Sequence, residues 1–356
     1  PISFIYVSLS ILEDSGYMAR AAFIADKYMR RIGLPGKAFI PLLVGFGCTV
    51  PAIMATRTLE KPRDRVFASL LTPFMTCGGK LPVYTFLAMI FFPRRADIVI
   101  FGLYLFGIVM AMGTGLLLKK TIFKTEPGNF VMELPPYHVP TFNAITLHTW
   151  FRLKDFILRA GKTILLVIIV INILQIIMLP NFFSPQREKT SVLELAGHAI
   201  TPVLKPIGIE RDNWPSSVAL ITGLFAKEAI VGTMQSLYSE SEMSMEMSET
   251  KENKPLKLNI QERFGGWKAA LAYLLFIVLY SPCAATLTIL FKEHGIQWTI
   301  FTFFYLNILA WVIAMVFYQI ATFSLSSLYW LAIGLVFLSI IYWNLRIIGN
   351  RNESTT

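Results

Sequence analysis

Residues 98–118 read IVIFGLYLFGIVMAMGTGLLL, an uncharged run set between Asp97 and the pair Lys119-Lys120. About 20 such residues wind into a helix that crosses about 30 Å of hydrocarbon. Outward from this run the pattern repeats. Apolar runs cover 2–12, 38–55, 66–92, 163–179, 214–237, 266–291, 298–323 and 328–348, with short charged connectors between them. The 356 residues are 55% hydrophobic and 15% charged, against about 25% charged in a soluble chain. A soluble enzyme, a disordered chain and a disulfide-stapled secreted domain are excluded. The pattern predicts an all-α, polytopic helical membrane protein.

The charge is lopsided, 32 Lys plus Arg against 22 Asp plus Glu, net +10. In a membrane protein the excess marks cytoplasmic loops, and no nucleic-acid partner is expected. The basic connectors at 20–37, 57–65 and 119–162 are therefore placed in the cytoplasm. The runs at 66–92 and 98–118 then go out and back. The interrupted run at 38–55 must enter and leave from one side, or else span fully; both readings stand at this stage. Phe142 to Gly161 mixes apolar with basic residues and is expected as a helix at headgroup level. A short amphipathic piece is expected around Leu193 to Leu204. The charged stretch 239–265 is expected as a mobile loop, because it has little apolar surface to bury. The chain opens at Pro1 inside an apolar run, which reads as a cut through a longer protein.

The plain runs need no functional account. The informative ones break membrane rules. Pro and Gly at bilayer depth free backbone amides and carbonyls, which survive only inside protein or along a watery cavity. Gly45-Phe46-Gly47-Cys48-Thr49-Val50-Pro51 is one such break, and Pro73-Phe74-Met75-Thr76-Cys77-Gly78-Gly79-Lys80-Leu81-Pro82 is another. The second half offers Gly223 to Glu228, then Tyr280-Ser281-Pro282-Cys283. Gly45 set against Gly223 also pairs Leu43 with Ile221 and Ala55 with Thr233. Interrupted segments in matching positions of two halves point to a transport site at the repeat interface.

All three cysteines, Cys48, Cys77 and Cys283, fall in these breaks. Their spacing is far from that of a closed structural zinc site. Soft thiolates favour late first-row metals over Mg²⁺ or Ca²⁺. Met54 and Met75 add thioethers nearby, although Met in a span is more often filler. Lys80, Lys227 and Glu228 are ionisable groups inside apolar runs, which are costly and line a pathway or find partners. Neighbours along a helix do not face each other, so Lys227 and Glu228 are expected to have separate partners. No H-E-x-x-H or G-x-S-x-G motif supports an enzyme.

Three further stretches complete a pattern: Leu12 to Phe23, Gly33-Leu34-Pro35-Gly36-Lys37, and Val131 to Pro140 with its Glu133 and His138. With the breaks, they resemble the membrane region of the bacterial ferrous iron transporter B family, in order, to about residue 323. The resemblance implies two gate repeats containing interrupted or re-entrant helices. It implies import of Fe²⁺ across the inner membrane by a multi-pass permease, with Fe²⁺ as substrate and no permanently bound cofactor. It also implies an N-terminal GTPase domain that would bring GTP and Mg²⁺. These 356 residues hold no G-x-x-x-x-G-K-S/T phosphate loop, so that domain is expected in cis or in trans, outside this sequence.

The organisation implied is a truncated helix and cytoplasmic connector at 1–37 and a first gate repeat at 38–118. A cytoplasmic loop and interfacial helix follow at 119–162, then a helix and connector at 163–213. A second gate repeat with its loop covers 214–292, and C-terminal helices cover 293–356. The family's path cysteines fall on Cys48, Cys77 and Cys283. Gly45, Gly47, Pro51, Pro73, Met75, Gly78 and Pro282 are expected along the path, with Lys227 and Glu228 as gate residues. Glu13, Asp14, Glu133 and His138 are expected at a cytoplasmic entry or exit. Expected partners are ferrous iron, the bilayer, small cytosolic accessory proteins and a second copy of the chain. The alternatives are a nucleoside or other solute carrier of the gate-repeat type, and a membrane scaffold for a separate GTPase subunit.

Overall fold

The structure, a computed structural model, describes residues 15–123, 178–180, 189–246 and 256–322, with isolated helical positions before 15, between 141 and 154, and beyond 328. Glu13, Asp14, Glu133 and His138 lie outside the described residues, as do most of the expected interfacial helix and the runs at 163–177 and 340–345.

The first half is built from α1 (Tyr17–Ile32), α2 (Phe39–Gly45), α3 (Thr49–Ala55), α4 (Pro62–Leu71), α5 (Leu81–Phe91) and α6 (Ala96–Thr121). A two-stranded antiparallel ribbon follows, Met178–Pro180 on Lys189–Ser191. The second half is built from α7 (Val192–Leu204), α8 (Trp214–Phe225), α9 (Ala229–Glu246), α10 (Leu256–Arg263), α11 (Trp267–Leu279) and α12 (Ala284–Thr322). α12 is two helices joined at Gly295, whose φ of 82° is non-helical.

Prolines mark where these helices start. Pro51, Pro62, Pro82 and Pro215 each sit in a first turn, where the missing N–H would have no helical partner. α1 ends at Gly33, whose φ of 96° sits in the left-handed region that glycine occupies at helix ends. Its N–H bonds to Met29 O and Arg30 O.

α2 and α3 pack against one another across the break at 46–48. Lys37 Nζ, ahead of α2, lies 3.5 Å from Glu60 Oε1, beyond α3. Residues 38–55 are therefore a hairpin that enters and leaves on one face. Other contacts gather there. Lys119 Nζ donates to Arg30 O and Arg31 O at 3.2 and 3.3 Å. Arg63 donates to Phe123 O, and Arg57 pairs with Glu293. Ser69 Oγ lies 2.7 Å from His294 Nε2. The three basic connectors thus share a face.

The second hairpin, α8 and α9 around the break at 226–228, opens to the other face. Arg263 donates to Asp212 O, before α8, and Asn259 donates to Tyr238 O in α9. Both donors sit on α10, whose Gln261 Nε2 donates to Ile90 O at 2.6 Å. Trp267 packs edge-on against Phe92 there, and Lys268 donates to Ala321 O.

The broken crossings are likewise reversed. α4, the break at 75–80 and α5 run from the first face to the second. α11, the break at 280–283 and the first part of α12 run from the second face to the first. The two halves run in opposite directions, each holding one hairpin and one interrupted crossing. The relation extends to the leading helices. α1 ends at Gly33 before buried Leu34, and α7 leads to Gly208, φ 95°, before buried Ile209.

The segments Ala96–Thr121 and Trp267–Thr322 are long and apolar enough to cross a membrane. The shorter apolar helices Gly36–Gly45, Leu81–Phe91 and Trp214–Phe225 rise only roughly 15–18 Å at 1.5 Å per residue, half a crossing each. One expectation is corrected in part, residues 247–255 of it lying outside the described residues. The stretch 239–265 contains the end of α9 and all of α10, and the latter is anchored. Ile260 and Phe264 are buried, and Asn259, Gln261 and Arg263 donate to neighbouring carbonyls or side chains. A polar composition concealed a short helix that needs only two apolar anchors.

Close helix contact depends on Gly115 of α6, where a Cβ would lie 2.2 Å from Ile32 Cγ2 of α1. At Gly113 a Cβ meets nothing within 4 Å. Gly115→Val is expected to cost about 1–3 kcal/mol by overpacking. Gly113→Ala should be neutral or stabilising, because it removes a helix glycine. Thermal unfolding in detergent, followed by circular dichroism, distinguishes the two; equal losses would contradict the α1–α6 contact.

Candidate functional site

The helix breaks converge. Gly78 N donates to Gly47 O at 3.2 Å, joining the tip of the first hairpin to the first interrupted crossing. Gly45 packs beside them, where a Cβ would stand 3.1 Å from Met75 Cβ. Across the repeat boundary, a Cβ on Gly79 would lie 3.3 Å from Glu228 Oε2 and 3.5 Å from Lys227 Cβ. The tip of the second hairpin therefore abuts the first crossing. α6 passes closely too: a Cβ on Gly107 would lie 2.8 Å from Phe74 O.

Two lysines tie this centre together. Lys80 is 3% exposed, and its Nζ donates to Val278 O at 2.6 Å and Pro73 O at 3.4 Å. Val278 lies in the last turn of α11, so Lys80 joins one repeat to the other. Lys227 is 4% exposed, and its Nζ donates to Ser281 O at 2.7 Å while standing 3.1 Å from the centre of the Tyr280 ring. Taking an ammonium out of water costs several kcal/mol. Carbonyls at a helix C-terminus carry negative partial charge, and an aromatic face attracts cations. Both offset that cost without a carboxylate. Among the described residues neither lysine has an acidic partner within ion-pair distance.

The three thiols, each half-buried and free, border this centre. Cys48 caps the start of α3 and Cys283 precedes α12. Both pack on one small apolar cluster of Val50, Ile53, Ala285, Ile289 and Leu290, with Met54 beside them. Cys283 Sγ is 3.2 Å from Thr286 Oγ1. Among the described residues, no group of three His, Cys, Asp or Glu side chains is gathered tightly enough to hold a metal ion.

The remaining expected residues are placed as follows. Gly47 and Pro73 present accepting carbonyls, Gly78 a donating amide. Pro51 starts α3. Met75 and Pro282 are buried in the breaks. Lys227 turns inward to Ser281, and Glu228 is exposed beside Gly79.

Other residues of the centre carried little signal in the sequence. Lys80 was visible as a charge at depth, but nothing in the chain pointed to Val278 as its acceptor. Tyr280 is buried, its hydroxyl has no hydrogen-bond partner among the described residues, and a Cβ on Gly223 would lie 2.4 Å from that oxygen. Its place directly before Ser281-Pro282-Cys283 was the one available clue.

Replacing Lys80 by Met leaves the Val278 carbonyl without its donor, at an expected cost of about 1–3 kcal/mol. Lys268→Met, at the rim, should cost less, because water can replace its bond to Ala321 O. Unfolding midpoints of the two variants in one detergent check this. A Lys80→Met midpoint equal to that of the unmodified chain would contradict the inter-repeat tie.

The family model described as Gate, nucleoside recognition, matches residues 1–91 and 157–297. The model of the ferrous iron transport protein B C terminus matches residues 100–152. The chain is similar to the Fe(2+) transporter FeoB of Escherichia coli strain K12, 38% identical over 98% of this chain and 50% of that protein. The same protein of Shigella flexneri is 38% identical and that of Salmonella typhimurium strain LT2 37%, with the same coverage. The chain thus spans about half the length of these curated relatives. No solved structure matches.

Proposed function

We propose, for a chain that belongs to the gate family and matches the membrane region of the ferrous iron transport protein B family, that it is the permease portion of a bacterial Fe²⁺ importer. The observation that carries this reading is the meeting of two inverted hairpins and two interrupted crossings, with every cysteine of the chain at a break. In this reading Fe²⁺ sheds water at the breaks and passes among Cys48, Cys77 and Cys283, each thiol losing its proton as it takes the metal. Carbonyls freed at the breaks, such as Gly47 O, offer oxygen ligands between thiols. Dispersed thiols suit a cargo that must leave again, whereas a closed tetrahedral set would hold it.

Lys80 and Lys227 have a second role in this reading. Each ammonium occupies carbonyl oxygens of the breaks, and each is positioned to repel a cation until it moves. They close the path, and Glu228 offers the cation an exposed carboxylate at the second hairpin's tip. The face shared by the basic connectors is the cytoplasmic one, where a GTPase domain, in cis or in trans, and small accessory proteins would act. The membrane is the bacterial inner membrane, crossed several times. The chain itself works as a permease and not as an enzyme.

Uptake of radioactive Fe²⁺ into proteoliposomes under reducing conditions tests the reading. Each single Cys→Ser variant is expected to lower uptake by roughly tenfold or more, since even outer partners of a metal ligand matter that much. Unchanged uptake in all three would leave the thiol path without support. The family description favours a second reading, a nucleoside carrier. Competition by nucleosides and not by Mn²⁺ would select it.

A further inference from the structure

Away from the breaks, α6 carries an apolar face that ends on the basic side of the protein. Ile98, Phe101, Leu105, Val109, Met112 and Leu116 are large, exposed and apolar. Their spacing of three, four, four, three and four residues puts them on one helix face. The face is roughly 27 Å tall at 1.5 Å per residue, close to the thickness of a hydrocarbon core. Arg94 and Arg95 stand just below it in sequence, Lys119 and Lys120 just above. This stripe faces lipid, and its basic ends mark headgroup level.

At the upper end is a cavity of about 380 Å³ lined by Arg31, Leu116, Lys119 and Lys120. Leu116 belongs both to the lipid-facing stripe and to the cavity. The other three lining residues are cations, and no acidic side chain lines it. Arg31 and Lys120 are exposed, and neither has a carboxylate partner among the described residues. Lys119 is held in place. Its stem runs over Gly33, where a Cβ would meet its Cγ and Cδ at 2.9 Å. Two of its three protons go to the last carbonyls of α1, and the third remains for another acceptor. The Gly115–Ile32 contact fixes α1 against α6, so the cavity is built before anything binds. α1 also exposes Phe23, Ile24 and Tyr28 beside Lys27 and Arg31. An apolar and aromatic face edged with basic residues suits the headgroup boundary.

We propose that this cavity binds the phosphate headgroup of an anionic phospholipid, with an acyl chain lying along the α6 stripe from Leu116 downward. A free phosphate or nucleotide would satisfy the charges and leave Leu116 and the stripe unused. A zwitterionic lipid would satisfy the stripe and bring its own cation to three others. The site is separate from the helix breaks and does not depend on what passes through them.

The test is lipid binding to the full chain in detergent, read by native mass spectrometry with phosphatidylglycerol or phosphatidylcholine added. The double variant Arg31→Gln/Lys120→Gln spares Lys119, which caps α1. The unmodified chain is expected to prefer phosphatidylglycerol, and the double variant to bind it on the order of tenfold more weakly, as the loss of two charges near a phosphate implies. A phosphatidylglycerol carrying a photoreactive group near the top of its acyl chain should mark residues around Leu116, and mark them less in the variant. An unaltered preference in the variant, labelling concentrated elsewhere, or displacement of the lipid by inorganic phosphate would each overturn the proposal. If the double variant does not fold, Lys120→Gln alone gives the same comparison with a smaller expected loss.

Discussion

Backbone freed at a helix break inside a bilayer must find its hydrogen bonds within the protein, and the rest of this structure follows from how that is done. Here the freed groups are met partly inside their own repeat and partly by the other repeat. Lys80, from the first interrupted crossing, donates to Val278 O at the end of α11. Gly78, beside it, donates to the tip of the first hairpin at Gly47. Lys227, at the tip of the second hairpin, donates to Ser281 O in the second crossing. One bond, Lys80 to Val278 O, ties the first repeat to the second. The pairing of the two halves thus brings the breaks together at one centre.

The same bonds explain why so polar a centre is tolerated. Each buried ammonium replaces several water contacts with one or two carbonyls and, for Lys227, an aromatic face. In the function proposed, such a balance persists at rest and gives way to an arriving cation. Glycines at 45, 79, 107 and 223 let backbone and side chains close around it, because a Cβ at any of them would press on a neighbouring element. The function proposed grows from this: a centre that two repeats must build together can be opened by moving one against the other.

Much of the fold was legible in the sequence because hydrocarbon imposes simple lengths. The uncharged run at 98–118 became α6, and the stretches around Gly45–Pro51, Pro73–Pro82, Gly223–Glu228 and Tyr280–Cys283 became breaks. The shared side of the three basic connectors was readable from Lys and Arg alone, but it left residues 38–55 open between a hairpin and a full span until the Lys37–Glu60 contact was in view. Less legible was anything that depends on contacts distant in sequence. That Lys80 would reach Val278, or that Glu228 would sit beside Gly79, follows from the inverted packing and leaves no local pattern. The charged stretch containing α10 misled for a related reason, since Ile260 and Phe264 gain their meaning only from the groove they fill.

The proposed function requires the three thiols to face one path. Variants keeping a single cysteine, at 48, 77 or 283, can be alkylated in membranes with a small maleimide, with and without Fe²⁺ under anoxic reducing conditions. Fe²⁺ is predicted to slow alkylation at all three positions, and Mg²⁺ at none. Protection at none of them, or equal slowing by Mg²⁺, would contradict a shared thiol path between the repeats.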